Sequence, residues 1–493
     1  MRTGSGNFIL KWNDMAGTMG ITVVRNTDWI VAFDGSSHTY AKGDVAFEGN
    51  ALIHVGGTFT GEAEREIDGR GFLVMPGLVD IHSHPTYEPI NKGWNDEIGS
   101  PKLYNSSLYE IMPLLRPDEP GQKAALKFAL SEALMSGVTT LVDLSVAHVG
   151  WIDTMAESGL RAVLAPMYRD ARWYTDNGFL VKYEWDEVAG RKAMEVALGV
   201  VAAAERHPSA RLSGMVAPSQ IDTCSPELIR DSYAEALRLE VPFQIHAAQS
   251  VVEFHEVTRR HGMTPIEWLD SLGVLGPTSI IGHGIFLDHH TSAHWPKRDD
   301  LGTIIERGTT VAHCPTVFIR RGITLQTLGS YFRRGVKLAI GTDTYPHNML
   351  EELRHALYAS RVVAADPYDL RTSDVFNAAT LGGALALGRG DIGRLSVGAK
   401  ADLVLVDITH PAMRPLRDPL RSLIYVAADR AVRHVFVDGK QVVKDGTVTT
   451  MDYAAAAAEL DDAQQRGLPQ VRQLDWGKRS HLEISPLVYG GSE

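Results

Sequence analysis

An α/β fold, specifically a (β/α)8 TIM-like barrel carrying a small β-sandwich built from both chain ends, is the architecture that this 493-residue sequence predicts. Two patterns predict it. The flanks carry short alternating strands broken by Gly and Asp, while the long middle alternates apolar runs with helical stretches. A third observation, histidines and an aspartate at the ends of several of those runs, matches the way barrel enzymes place their sites.

The elements follow in chain order. Residues 1–20 hold Lys11 and Asp14 within a weak apolar stretch and read as an N-terminal arm rather than a secretory leader. From 21 to 71 come ITVV, WIVAF, DVAFEG and ALIHVGG, the first part of the β-sandwich. Residues 72–390 contain eight strand candidates: GFLVMPGLVDIH, GVTTLVDL, RAVLAPMY, LSGMVAPS, VPFQIHAA, SIIGHGIF, TTVAHCP and VKLAIGTDT. Between the first two, KAALKFALSEALMSG spaces its apolar residues as a helix does and ends at Gly137. The aromatic stretch 168–187 is long enough to cover a site. ADLVLVD and VRHVFVDGKQVVKDG restore the sandwich texture over 391–450, and 451–493 opens as an alanine-rich helix before losing periodicity.

Composition narrows the function classes. The formal charge is -12, and the basic residues form no run, which argues against nucleic acid or an anionic membrane as a partner. No segment has the apolar length of a membrane span. The two cysteines, Cys224 and Cys314, lie far apart and read as reduced thiols of a cytoplasmic protein.

The sharpest chemical signal is PGLVDIHSHP. Side chains at i and i+2 of a strand share a face, so His82 and His84 project together and two imidazoles reach one divalent metal. His246 ends the fifth run, His283 lies in the sixth and Asp343 ends the eighth. This ordered set, with ALMSGVTTLVD, VAHCP and the closing NAATLGGALALGRGDIGRLSVGAKADLVLVD, resembles the amidohydrolase superfamily, in its cytosine deaminase and triazine hydrolase branch. The resemblance implies that His82, His84, His246 and Asp343 bind one divalent metal, with zinc favoured over iron or manganese. It also implies that His283 bonds the attacking water or the substrate and that Asp343 takes the water's proton. Binuclear members add a lysine on the fourth strand, and RLSGMVAPSQ has none, so one metal per chain is expected.

Two departures from the branch concern the substrate. Many deaminating members carry a glutamate where Gln249 stands. A glutamine orients a ligand by hydrogen bonding but carries no proton to a departing amine. Strand seven offers Thr316, Val317 and Phe318 where the branch often has a small polar pair, and strand four lacks a histidine near Gln220. Tyr87, Trp94, Arg169, Trp173, Gln220 and Phe318 are the candidate substrate-binding residues. His313 is expected to shape the pocket and Glu132 to anchor packing, while His289, His290, His294, His347 and His355 read as surface or loop residues.

The expected function is metal-dependent hydrolysis. A metal-activated water attacks an sp2 carbon of a small nitrogen heterocycle, or a related amide, and displaces an amine or an anion such as chloride, nitrite or a thiolate. The alternatives are cleavage of an acyclic amide, urea or carbamate and, more remotely, a non-catalytic scaffold. A homo-oligomer is expected, as for relatives of the branch.

Overall fold

The computed structural model describes residues 20–490, and the arm proposed for 1–20 therefore lies outside it except for Gly20. All eight strand candidates form barrel strands. They are Leu78–Ser83, Val138–Asp143, Arg161–Leu164, Leu212–Gly214, Phe243–Ala247, Ser279–His283, Thr310–His313 and Lys337–Ile340, counted below as strands one to eight. The first four pair in parallel, as do the last four. Parallel bridges join the two arcs on both sides, Val216 to Phe243 and Gln220 to His246 on one, Ser83 to Asp343 on the other. The result is a closed ring whose strand interiors are apolar, as a strand covered on both faces requires.

The helices lie outside the ring. Glu119–Met135 leads into strand two, starting at an Asp118 side chain that accepts from the Gly121 N–H. It ends just before Gly137, whose φ of +88° suits glycine. A buried cluster that includes Leu130, Leu134, Leu141 and Phe243 binds helices to strands.

The flanking β domain draws on both chain ends, as the sequence suggests. Phe72–Pro76 pairs antiparallel with Leu403–Asp407 and in parallel with Ile21–Phe33. The run GFLVMPGLVDIH therefore splits at Gly77, its first half in the flanking sheet and its second in the barrel. All nine flanking strands belong to one hydrogen-bonded sheet, and that sheet curls on itself. Phe47 and Phe436, from opposite halves, meet edge-on with ring centroids 5.7 Å apart over a common core.

Two segments close the mouth of the barrel. Residues 84–118, between strand one and the next helix, are mostly irregular with three short 3-10 turns. The C-terminal segment straps them down. Its helix Tyr453–Gly467 packs beside Glu119–Met135 and its Gln464 donates to the Ile90 carbonyl at 2.6 Å. Further on, Arg479 pairs with Glu110 at 2.7 Å and Ser485 donates to the Trp94 carbonyl at 2.7 Å. Among the described residues no helix is long and apolar enough to cross a membrane.

Candidate metal centre

Barrel closure brings the dispersed histidines together. The Asp343 N–H donates to the His82 carbonyl at 2.7 Å, and the His84 N–H donates to the Asp343 carbonyl at 2.8 Å. These two bonds stitch the end of strand eight between the two histidines of strand one, so closing the ring also places the carboxylate. Asp343 takes a left-handed backbone, φ +58°, which aspartate tolerates better than most residues. Opposite, strand five sets His246 level with Gly282 and the next residue level with His283.

The side-chain nitrogens are then oriented by oxygens behind them. His82 Nδ1 donates to Gln244 Oε1 at 2.5 Å, His84 Nδ1 to the Leu144 carbonyl at 2.6 Å and His246 Nδ1 to the Ser219 carbonyl at 2.7 Å. Gln244 is itself fixed, because its Nε2 donates to the Ile81 carbonyl at 3.1 Å. Each acceptor calls for a proton on Nδ1, so each neutral ring turns a bare Nε2 toward the centre.

Those bare nitrogens face atoms that give them no proton. His84 Nε2 stands 3.2 Å from His246 Nε2 and 3.3 Å from Asp343 Oδ1, and His82 Nε2 stands 3.5 Å from the same oxygen. His82 Nε2 is buried without a hydrogen-bond partner among the described residues. Two ligands each ~2.1 Å from one ion are ~3.4 Å apart at a tetrahedral angle. The spacings fit, and a cation among these atoms resolves the clash of lone pairs. The three histidines can hold a metal ion, with Asp343 beside them. His82, His283 and Cys314 are also close enough, but burial holds the Cys314 thiol well above its ordinary range and it does not line the cavity.

Burial pushes the Asp343 carboxyl up, but the histidines around it, His283 first and then His82 and His84, outweigh it at the acidic pH where they take up protons, and hold the group well below the usual carboxylate range. Burial also lowers His283 to about 3, so its ring is neutral at ordinary pH. It stands 3.8 Å from Asp343 Oδ2, and its Nδ1 has no hydrogen-bond partner among the described residues.

Gln249 reaches this centre through a second left-handed residue, Ala248 at φ +56°. The buried Glu253 carboxylate accepts from the Ala248 N–H at 2.6 Å and the Gln249 N–H at 3.3 Å, holding the turn between strand five and its helix. The Gln249 side chain lines the cavity and its Nε2 is buried without a hydrogen-bond partner among the described residues. The cavity measures about 90 Å³. Among the described residues lining it, Asp343 is the one carboxylate.

The sequence-predicted residues divide. His84, His246, His283, Asp343, Gln249, Gln220 and Phe318 all line the cavity, and Phe318 sets its ring edge-on to His283, centroids 4.8 Å apart. Tyr87, Trp94, Arg169 and Trp173 do not line it. Trp94 packs in the cluster under the C-terminal helix, and Trp173 sits against Tyr109 with its indole donating to Asp222 at 3.0 Å. No residue of 168–187 covers the cavity; those residues form a hairpin that braces Tyr109, and the roof comes from Ser106, Ser107, Leu108 and Met112. Thr316 turns away, its backbone N–H bonding Glu352 and its hydroxyl His355. His313 is buried but does not line the cavity. His347 and His290, read as surface or loop residues, lie in loops but are buried, His347 completely. Glu132 anchors its helix as expected, pairing with Lys92 and accepting from the His347 N–H at 3.3 Å. Arg321, not singled out in the sequence, lines the cavity.

The chain belongs to the amidohydrolase family, whose model matches residues 73–442. It is a hydrolase of that family. Its relatives include a 5-methylthioadenosine/S-adenosylhomocysteine deaminase of Halobacterium salinarum, 30% identical over 85% of this chain and 92% of the relative. A 5'-deoxyadenosine deaminase of Methanothermobacter thermautotrophicus is 29% identical over 85% of this chain and 95% of its own. Among solved structures, a zinc-bound atrazine chlorohydrolase of Arthrobacter aurescens shares the fold at TM-score 0.77 and 21% identity, over 90% of this chain and all of that one. A zinc-bound adenosine deaminase of Xanthomonas campestris does so at TM-score 0.76 and 24% identity, over 90% and 98%.

Proposed function

We propose that this site binds one zinc ion and hydrolytically displaces a substituent from an sp2 carbon of a nitrogen heterocycle. The observation that carries the reading is the set of three histidines whose Nδ1 protons are all committed to protein oxygens, leaving three bare Nε2 atoms beside Asp343. Deaminases among the relatives and a chlorohydrolase among the structures support the substrate class and leave both kinds of leaving group in play.

His82, His84 and His246 would hold the ion, with Asp343 as the fourth ligand. When bound, the ion supplies Lewis acidity that makes a water nucleophilic near neutral pH. Asp343, ionised because its histidine neighbours outweigh burial, accepts the attacking water's proton. The neutral His283 donates a hydrogen bond to the ring nitrogen or oxygen where negative charge develops. Phe318 lies against the ring face, and Gln249 donates its free amide N–H to orient the ligand. With no second carboxylate lining the cavity among the described residues, Asp343 also returns the proton to an amine that leaves, and an anionic leaving group needs none.

Metal analysis of protein purified without chelators or a polyhistidine tag tests this first. About one zinc per chain, with turnover of amino- or chloro-substituted heterocycles lost on chelation and restored by zinc, is expected. Turnover that survives complete metal removal would falsify the reading.

A further inference from the structure

Two adjacent arginines follow strand seven and end up in different circumstances. Arg320 has a counter-ion and several acceptors, though its Nε is buried with no acceptor among the described residues. It pairs with Asp96 at 2.8 Å, donates to the Thr344 hydroxyl at 3.1 Å and to the Tyr345 carbonyl, and lies over the Tyr345 ring at 4.4 Å. Arg321 differs. Its Nη1 donates to the Val317 carbonyl at 2.6 Å, four residues back along the chain, and its Nε is likewise buried with no acceptor among the described residues. Among the described residues it forms no ion pair, although it lines the cavity with Asp343, His283 and Gln249. The buried Glu88 carboxyl and Asp343 both act on it electrostatically, yet neither comes within ion-pair distance.

A guanidinium mostly withdrawn from water and given one neutral acceptor is costly, and burial drives its pKa down. Such a fork of donors is matched by a planar carboxylate, which takes two parallel N–H bonds at once. The cavity is also small. At about 90 Å³ it falls well below the ~300 Å³ where pockets for drug-sized ligands begin, so its occupant is a single ring with short substituents.

We propose that Arg321 is a specificity residue that docks a carboxylate on the substrate, so that the heterocycle hydrolysed here is a small ring acid. The inference rests on the reading of this cavity as the substrate site. Phe318 and Val317 flank the ring, the carboxylate lies along the Arg321 fork, and the reacting carbon faces Asp343 and the histidines.

The test is equilibrium binding to the zinc-loaded protein of two ring-matched probes, pyridine-3-carboxylate and pyridine-3-carboxamide, followed by calorimetry. The wild type is expected to bind the acid at least about tenfold more tightly than the amide. Arg321→Met should bring the ratio near one, and Arg321→Lys, which keeps the charge, should retain a preference for the acid. A wild type that binds neither probe, or does not distinguish them, overturns the proposal. So does an undiminished preference in Arg321→Met, which would mean that the acid is held by the metal. Equal weakening of both probes in Arg321→Met, the signature of a structural role, overturns it too. The wild-type ratio decides by itself if the Met variant fails to fold. Chelation addresses hydrolysis and the binding ratio addresses Arg321, so either reading can fail without the other.

Discussion

Gln244 decides which nitrogen of His82 faces the centre. Its Oε1 holds the Nδ1 proton at 2.5 Å and its own amide is pinned to the Ile81 carbonyl, so it cannot offer a donor there without breaking a second bond. Gln244→Leu keeps the bulk and removes the acceptor, freeing His82 to adopt the wrong tautomer. Zinc affinity, measured by competition with a chromophoric chelator, should fall by about 10- to 100-fold. Gln249 acts on the ligand side. Gln249→Glu adds a proton carrier beside a cavity that has Asp343 alone, so kcat/KM should rise for an amino-substituted ring and stay level for its chloro counterpart. Equal gains on both rings would show that proton delivery to the leaving group is not what Gln249 withholds.

At the scale of elements, the site depends on how closely strands one, six and eight approach. A Cβ at Gly341 would lie 2.6 Å from His82 Cβ and 2.7 Å from its carbonyl oxygen, the acceptor of the closing bond from Asp343. Gly341→Ala therefore pushes strand eight off strand one. It should cost about 1–3 kcal/mol in denaturant unfolding and lower zinc affinity at the same time. Stability lost with zinc affinity intact would mean that strand eight closes the ring without setting the ligands. These eight strands were legible because each is a short apolar run bounded by turns, and the ligands because HxH and the run-ending residues have fixed places on a strand. The roof was not. Residues 84–118 carry little periodicity, and what holds them, Gln464, Arg479 and Ser485, lies more than 300 residues away. The aromatic stretch 168–187 stands out by composition, whereas its hairpin supports the roof from outside. Arg321 is not legible in the sequence, because only burial without a counter-ion distinguishes it from its neighbour Arg320.

Over the whole molecule, charge is placed unevenly between surface and interior, and this sets a pH dependence separate from catalysis. Asp300 is buried where Thr264 donates to one oxygen at 2.6 Å and the Asp288 N–H to the other at 2.8 Å, and Asp143 is buried between Ser145 and Trp151. Burial raises both to about 7, and those hydrogen bonds offset only part of the rise. An acid with a raised pKa binds its proton more tightly folded than unfolded. Its stabilising contribution is therefore complete below the unfolded value of 3.8 and is lost as pH climbs through about 7. Buried histidines act the other way: burial lowers His38 and His313 to about 4, so their effect raises stability with pH but ends near 6.5. Above about pH 6.5 these two histidines no longer contribute while the raised acids still do, and the Tm of the zinc-loaded protein should fall between about pH 6.5 and pH 8. Asp300→Asn cannot ionise, and although it weakens the bond from Asp288 and lowers Tm throughout, it should flatten the slope above pH 6.5. A wild-type Tm that is level over this window, or a slope that Asp300→Asn leaves unchanged, would mean that Asp300 is already ionised in the fold, its charge carried by Thr264 and the Asp288 amide.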